Sequence, residues 1–264
     1  MKRFVVMAAA LLALALQDAQ AGRSCEAKPP NAANVQRALT LAETTARRLD
    51  GSGAQVVVLA RAGQDLGKYG LRWSHLGWAY RDTSAGRPVW RVVHKLNQCG
   101  SDTAALYRQG LGEFFLDDLH EYAAGVAIPT VEVQARLLPL LKDNSRVAQL
   151  HTPAYNMVAY PWAQTYQQSN QWAIETLALA MEPMATTRER AQSWLHLKGY
   201  QPTTLRIDAL TRLGARVSAA NVAFDDHPSA KRYSDRIETV TVDSVFAWLQ
   251  RAGLGGAPAT LQLP

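Results

Sequence analysis

Apolar residues recur at helical spacing over residues 31–50, where Val35, Leu39, Ala42, Ala46 and Leu49 form one stripe and Gly51 ends it. That pattern predicts a helix. Short β-branched and aromatic runs at 55–61, 73–80 and 89–95 predict three strands, and the turn-forming residues 83–88 join the last two as a hairpin. Side chains alternate across a strand, so Trp90, Val92 and His94 share one face and Val89, Arg91, Val93 and Lys95 the other. Ser101, Asp102 and Thr103 offer helix caps, which predicts a short helix over 104–109 stopped by Gly110. Helical periodicity returns over 131–141, 170–181, 187–197, 205–213 and 245–251, with a late strand at 236–242. The 170–181 segment reads as amphipathic, with Trp172, Leu177 and Ala180 among its apolar positions. The Gly-, Ala- and Pro-rich residues 255–264 read as a disordered tail. No repeat or linker interrupts residues 22–254, so the expected fold is a single α+β domain, a small antiparallel sheet packed with helices.

The N-terminus changes the picture. Lys2 and Arg3 precede an apolar run over 4–16, polar Gln17 and Asp18 end it, and Ala19-Gln20-Ala21 supplies a small-x-small cleavage site. The run is shorter than the ~20 residues a membrane span needs, so residues 1–21 read as a secretory signal and the expected location is periplasmic or secreted. Arg23 does not fit a lipobox before Cys25, and no later segment is apolar enough for a transmembrane anchor. The net charge of +6 comes from scattered arginines rather than a basic stripe, so nucleic acid is not an expected partner. Cys25 and Cys99 are the only cysteines. An oxidising compartment favours a disulfide between them, the rival reading being Cys99 as a nucleophile ahead of a helix.

The chain has no glycine-rich phosphate loop, no Gly-x-Ser-x-Gly elbow, no His-Glu-x-x-His and no Cys-x-x-Cys. What chemistry it offers lies in a few blocks. Trp73-Ser74-His75-Leu76-Gly77 puts a histidine at the start of an apolar strand, a place for a general base, and Gly77 clears space on the same face. His94 on the next strand is placed to orient it. Ser169-Asn170-Gln171-Trp172 opens a helix whose N-terminal amides favour an anion or an activated nucleophile, although Ser169 or Asn170 serves equally as a cap. Tyr160 and Trp162 lie in an aromatic segment suited to lining a sugar or peptide groove, or to an irregular core. With Trp73, Asn170 and Trp172 they are the candidate binding residues. Asp225-Asp226-His227 lacks a second ligand set, so neither a metal nor any other cofactor is expected.

Trp73–Gly77, Val93-His94-Lys95-Leu96-Asn97-Gln98-Cys99, Tyr155–Pro161 and Ser169–Glu175 together resemble a bacterial family known as domain of unknown function 2145. The chain order, a histidine strand followed by a helix start, also resembles permuted papain-like hydrolases of the NlpC type. The thiol of that pattern is replaced here by Ser169 or Asn170. The resemblance implies a papain-like arrangement. Two functions follow as expectations. One is a non-catalytic envelope module binding a cell-wall peptide, a glycan or a protein partner. The alternative is an amidase or peptidase with His75 as base, His94 as its orienter, and Ser169, or else Cys99, as nucleophile.

Overall fold

The computed structural model describes residues 31–84 and 86–263. The proposed signal, Cys25 and the rest of residues 1–30 lie outside the described residues. Helix α1 spans Ala32–Asp50, capped by Asn31, whose side chain accepts from the Ala33 amide at 2.9 Å. Strands β1 (Val56–Ala62), β2 (His75–Asp82), β3 (Val89–Asn97), β4 (Ala104–Gly110), β5 (Glu121–Ala127) and β8 (Ala259–Gln262) form one antiparallel sheet in the order β4-β3-β2-β1-β5-β8. Both faces are covered. α1 and the short α2 (Leu111–Phe115) pack with Leu59, Ala79, Val92 and Ala124 on one face. On the other, Val58, Leu76, Trp78 and Val93 meet α3 (Val131–Lys142) and α5 (Ser169–Met181). Burial on both sides is why β1 reads as an almost unbroken apolar run, with Arg61 its one charged member.

Between α3 and α5 comes the five-residue α4 (Asn144–Ala148), and α6 (Arg188–Leu197) follows α5. A smaller unit then holds β6 (Thr203–Arg206), α7 (Ala209–Ser218), α8 (Ser229–Arg232) and β7 (Arg236–Thr239) around Leu205, Ile207, Val222, Phe224 and Ile237. Helix α9 (Val242–Arg251) returns to the main core. The fold is α+β, as the pattern of elements predicts.

Four local expectations are corrected. Residues 104–110 are a strand, because β3 needs a partner and takes it in the register His94↔Tyr107. Gly110 begins the next helix rather than ending one. Residues 203–206 pair with β7, and the helix expected at 205 starts at Ala209, where Asp208 caps the Thr211 amide at 2.9 Å. Helix α5 is not amphipathic: it is buried from Ser169 to Ala180 between the sheet and α6. The tail expected to be disordered supplies β8, which pairs with β5 from Ala123↔Gln262 to Val126↔Ala259 and covers an otherwise open edge.

Candidate functional site

A cavity of about 850 Å³ opens where the starts of β2 and α5 meet the turn after β3 and the residues that follow α7. His75, Ser169, Arg61, Gln109 and Tyr155 are among the side chains lining it. Four of the expected residues, His75, Cys99, Ser169 and Asn170, are therefore brought to one cleft.

His75 is the first residue of β2, and its Nε2 lies 2.8 Å from Nδ1 of His94 on β3. Gly77 makes this approach possible. A Cβ there would stand 2.7 Å from Val92 Cγ1 and 2.9 Å from the His94 Cβ, closer than such atoms ever come. Nε2 of His94 lies 2.8 Å from Oε1 of Gln109 on β4. The chain of bonds fixes the tautomers. An amide oxygen only accepts, so His94 carries its proton on Nε2 and accepts at Nδ1, and His75 donates from Nε2. The Nδ1 of His75 is left with a lone pair. Burial is the main reason both imidazoles titrate low. It holds His75 well below its ordinary value, with the positive charge of Arg61 and then His94 adding to the effect. His94 falls to about 3 through burial and Arg61, against a smaller opposite push from its bond to Gln109. Both rings are neutral at pH 7. Phe114 packs edge-on to His94 with centroids 5.3 Å apart.

Arg61 lies opposite His75 in the β1–β2 register. Its guanidinium bonds the Phe114 carbonyl and the Asp117 carboxylate, which fixes a positive charge at the cleft wall.

Ser169 is the first residue of α5, and its hydroxyl lies near the Tyr155 phenol. Burial raises the Tyr155 phenol above its ordinary value and Ser169 partly offsets this. No hydrogen bond joins Ser169 to His75 among the described residues. The amides beside Ser169 are engaged. Asn170 accepts from the Leu76 amide at 3.2 Å and donates to the Val240 carbonyl at 3.1 Å, and Gln168 donates to the Met157 carbonyl at 2.9 Å. Asn170 is thus a staple between α5, β2 and the segment after β7.

The expected aromatic binding residues lie outside the cleft, in packing contacts. Trp172 is fully buried and donates to the Val147 carbonyl. Trp73 fills the space left by Gly125. Trp162 stacks on His196 at 3.5 Å, and Tyr160 packs on His227 at 5.2 Å. None of the four lines the cleft. Asp226 and His227 bond each other at 2.9 Å, and their remaining atoms meet the Tyr160 amide and the Glu238 carbonyl. No group of three metal-ligating side chains occurs among the described residues. Cys99 lines the cleft, and no free cysteine occurs among the described residues.

The sequence reading missed a buried ionic network beneath the site. Lys95, wholly buried, donates to the Thr152 carbonyl, the Gln167 carbonyl and Gln167 Oε1 at 2.6, 2.7 and 2.9 Å. Gln167 bonds Glu175 at 2.6 Å, and Glu175 also receives Arg188 at 2.9 Å and Gln192 at 2.8 Å. Burial, then Arg188, pushes the Lys95 amine down to about 7 against the pull of Glu175. Three acceptors around one amine match the ammonium form, which has three donors. This network ties residues 150–168, the irregular stretch leading into α5, to β3 and α6. Two charges inside apolar elements were its signal: Lys95 is in phase with buried Val93, and Glu175 lies within an apolar helix.

The sequence of the family described as an uncharacterised protein conserved in bacteria, domain of unknown function 2145, matches residues 48–249, and the chain belongs to that family. The match spans β1 to α9 and so contains the whole cleft. No curated protein and no solved structure matches the chain.

Proposed function

We propose that this chain is an exported cell-envelope protein whose cleft binds a peptide or glycan of the cell wall without cutting it. One observation carries the reading: Ser169, at the start of α5, makes no hydrogen bond to His75 among the described residues, and the group its hydroxyl lies beside is the Tyr155 phenol. An alcohol without a bonded base is a weak nucleophile. The side-chain amides nearest to it, Asn170 and Gln168, are spent on backbone carbonyls rather than turned toward an oxyanion. What remains is a cavity of mixed polar and apolar lining with fixed donors and acceptors, suited to recognising amides and hydroxyls.

Export is supported by the pattern of residues 1–21 and by the cysteine pair. We place a disulfide between Cys25 and Cys99, which agrees with the lack of a free cysteine among the described residues. No helix among the described residues is long and apolar enough to cross a membrane.

A hydrolase is the second reading, favoured by the His75–His94–Gln109 chain, which presents a neutral imidazole lone pair to the same cleft as Ser169. Titration calorimetry with a disaccharide pentapeptide, followed by mass spectrometry of the recovered ligand, separates the two. Saturable binding with the ligand intact is the expected result. Cleaved ligand, with cleavage lost in both Ser169→Ala and His75→Ala, would replace the binding module with the hydrolase.

A further inference from the structure

The two sides of the cleft are fixed by sheet order. Strands β3, β2, β1 and β5 are neighbours in that sequence. At the end they share, His75 starts β2, Arg61 lies opposite it on β1, and Ala62 pairs with Glu121 at the start of β5. Cys99 follows β3 and lines the cleft on one side of this row. Glu113 and Asp117, which come just before β5, line it on the other. The start of α1 is held on that second side. Asn34 donates to the Asp118 carboxylate at 3.0 Å, and Asn31 caps the helix.

With Cys25 bonded to Cys99, as placed above, residues 26–31 are all that connects the bridge to Ala32. From β3 to β5 is three strand spacings, about 14 Å. Seven Cα steps reach about 24 Å when extended. The segment is long enough to span that gap and too short to pass round the far side of the domain, so it runs over the ends of β2 and β1, where His75 and Arg61 stand. Its composition suits this. In Lys28-Pro29-Pro30 each proline fixes φ and keeps the residue before it extended, and neither has an N–H to give a sheet. Lys28 is the one cation of the segment. Of the charged side chains lining the cleft, Arg61 and Asp117 pair with each other, and Glu113 forms no ion pair among the described residues.

We propose that residues 26–31 are the resident occupant of the cleft mouth, held across it by the Cys25–Cys99 bridge at one end and α1 at the other, with Lys28 toward the carboxylates of Glu113, Asp117 and Asp118. The proposal rests on the disulfide read above, not on the identity of any external ligand. A segment tethered this closely acts at an effective concentration of about mM, so a cell-wall peptide enters by displacing it.

Carbodiimide, which couples an amine to a carboxylate without a spacer, tests the crossing in the mature, unreduced chain with no ligand added. Mass spectrometry is expected to show Lys28 joined to Glu113, Asp117 or Asp118. Hydrogen exchange tests it a second way. In Cys25→Ser/Cys99→Ser, shown to be folded by circular dichroism, the amides of 61–64 and 113–117 should exchange about tenfold faster or more, and those of β8 should not change. Neither stretch carries a cysteine, so the bridge itself does not account for the change. The link is read in the unaltered chain and decides the question even where the variant does not fold. Free thiols at Cys25 and Cys99 in the unreduced chain would overturn the proposal together with the disulfide. With the disulfide present, absence of the link, or unchanged exchange at 61–64 and 113–117, would overturn the proposal and leave the disulfide standing. Calorimetry with the disaccharide pentapeptide decides the binding reading apart from either result.

Discussion

His75 and His94 meet nitrogen to nitrogen across β2 and β3, Nε2 to Nδ1 at 2.8 Å, because Gly77 leaves no side chain between them. Two neutral imidazoles can bond this way only if one donates and the other accepts. Gln109 decides which, by accepting from the far side of His94.

The tautomers are measurable. Nitrogen-15 spectra at pH 7 should show both rings protonated at Nε2, with His75 Nδ1 bare. Replacing Gln109 with Leu should remove that preference at His94. Nδ1 protonation at His75 in the unaltered protein would contradict the assignment.

Gly77→Ala should disturb this contact more than a surface substitution would. The added methyl meets Val92 Cγ1 and His94 Cβ inside 3 Å, and neither belongs to the end of a flexible chain. A loss of about 1–3 kcal/mol in thermal or urea unfolding is expected. Alanine tolerated without loss would mean the strands move apart freely.

Acid should destabilise the fold through the same pair. The unfolded chain takes up protons on both histidines below about pH 6.5, whereas folded His94 stays neutral to about 3 and folded His75 is held well down by burial. Between those limits the unfolded state binds more protons, so stability falls as pH falls. The slope approaches about 1.4 kcal/mol per pH unit for each histidine. Urea midpoints from pH 7 to 4 should drop accordingly, and less so in His94→Gln once its own baseline is subtracted. A flat profile would refute the neutral pair.

Glu175→Gln should be costly. It leaves the Arg188 charge buried without its carboxylate and removes the anion nearest the Lys95 amine. About 3–5 kcal/mol is expected, read by calorimetry. Ser169→Ala, by contrast, should change stability by less than about 1 kcal/mol, since it removes one small hydroxyl whose neighbour is Tyr155.

The sequence was informative where one element decides the outcome. The helix over 31–50, the 83–88 hairpin and the strand parity of His94 follow from local spacing and hold, but the buried face of α1 runs through Ala38, Leu41, Ala42, Thr45 and Leu49, leaving Leu39 of the expected stripe exposed. The fold departs where a partner decides. Residues 104–110 carry good helix formers, yet the bare edge of β3 recruits them. At the site, His75 and Ser169 were legible from their places at element starts. Arg61, Gln109 and Tyr155 were not, because each reaches the cleft from a segment whose position depends on sheet order. In the aromatic segment, Tyr160 and Trp162 are half-buried and pack on His227 and His196 outside the cleft, positions that depend on residues far away in the sequence.

The central claim is that Ser169 rests as a ligand-binding alcohol and not as a nucleophile. Labelling the purified chain with a fluorophosphonate, with mass spectrometry of the modified peptide, tests it most directly. No adduct at Ser169 is predicted, in the unaltered protein or in Tyr155→Phe, which removes the phenol beside the hydroxyl. An adduct at Ser169 that disappears in His75→Ala would contradict the claim and make the cleft a serine hydrolase site.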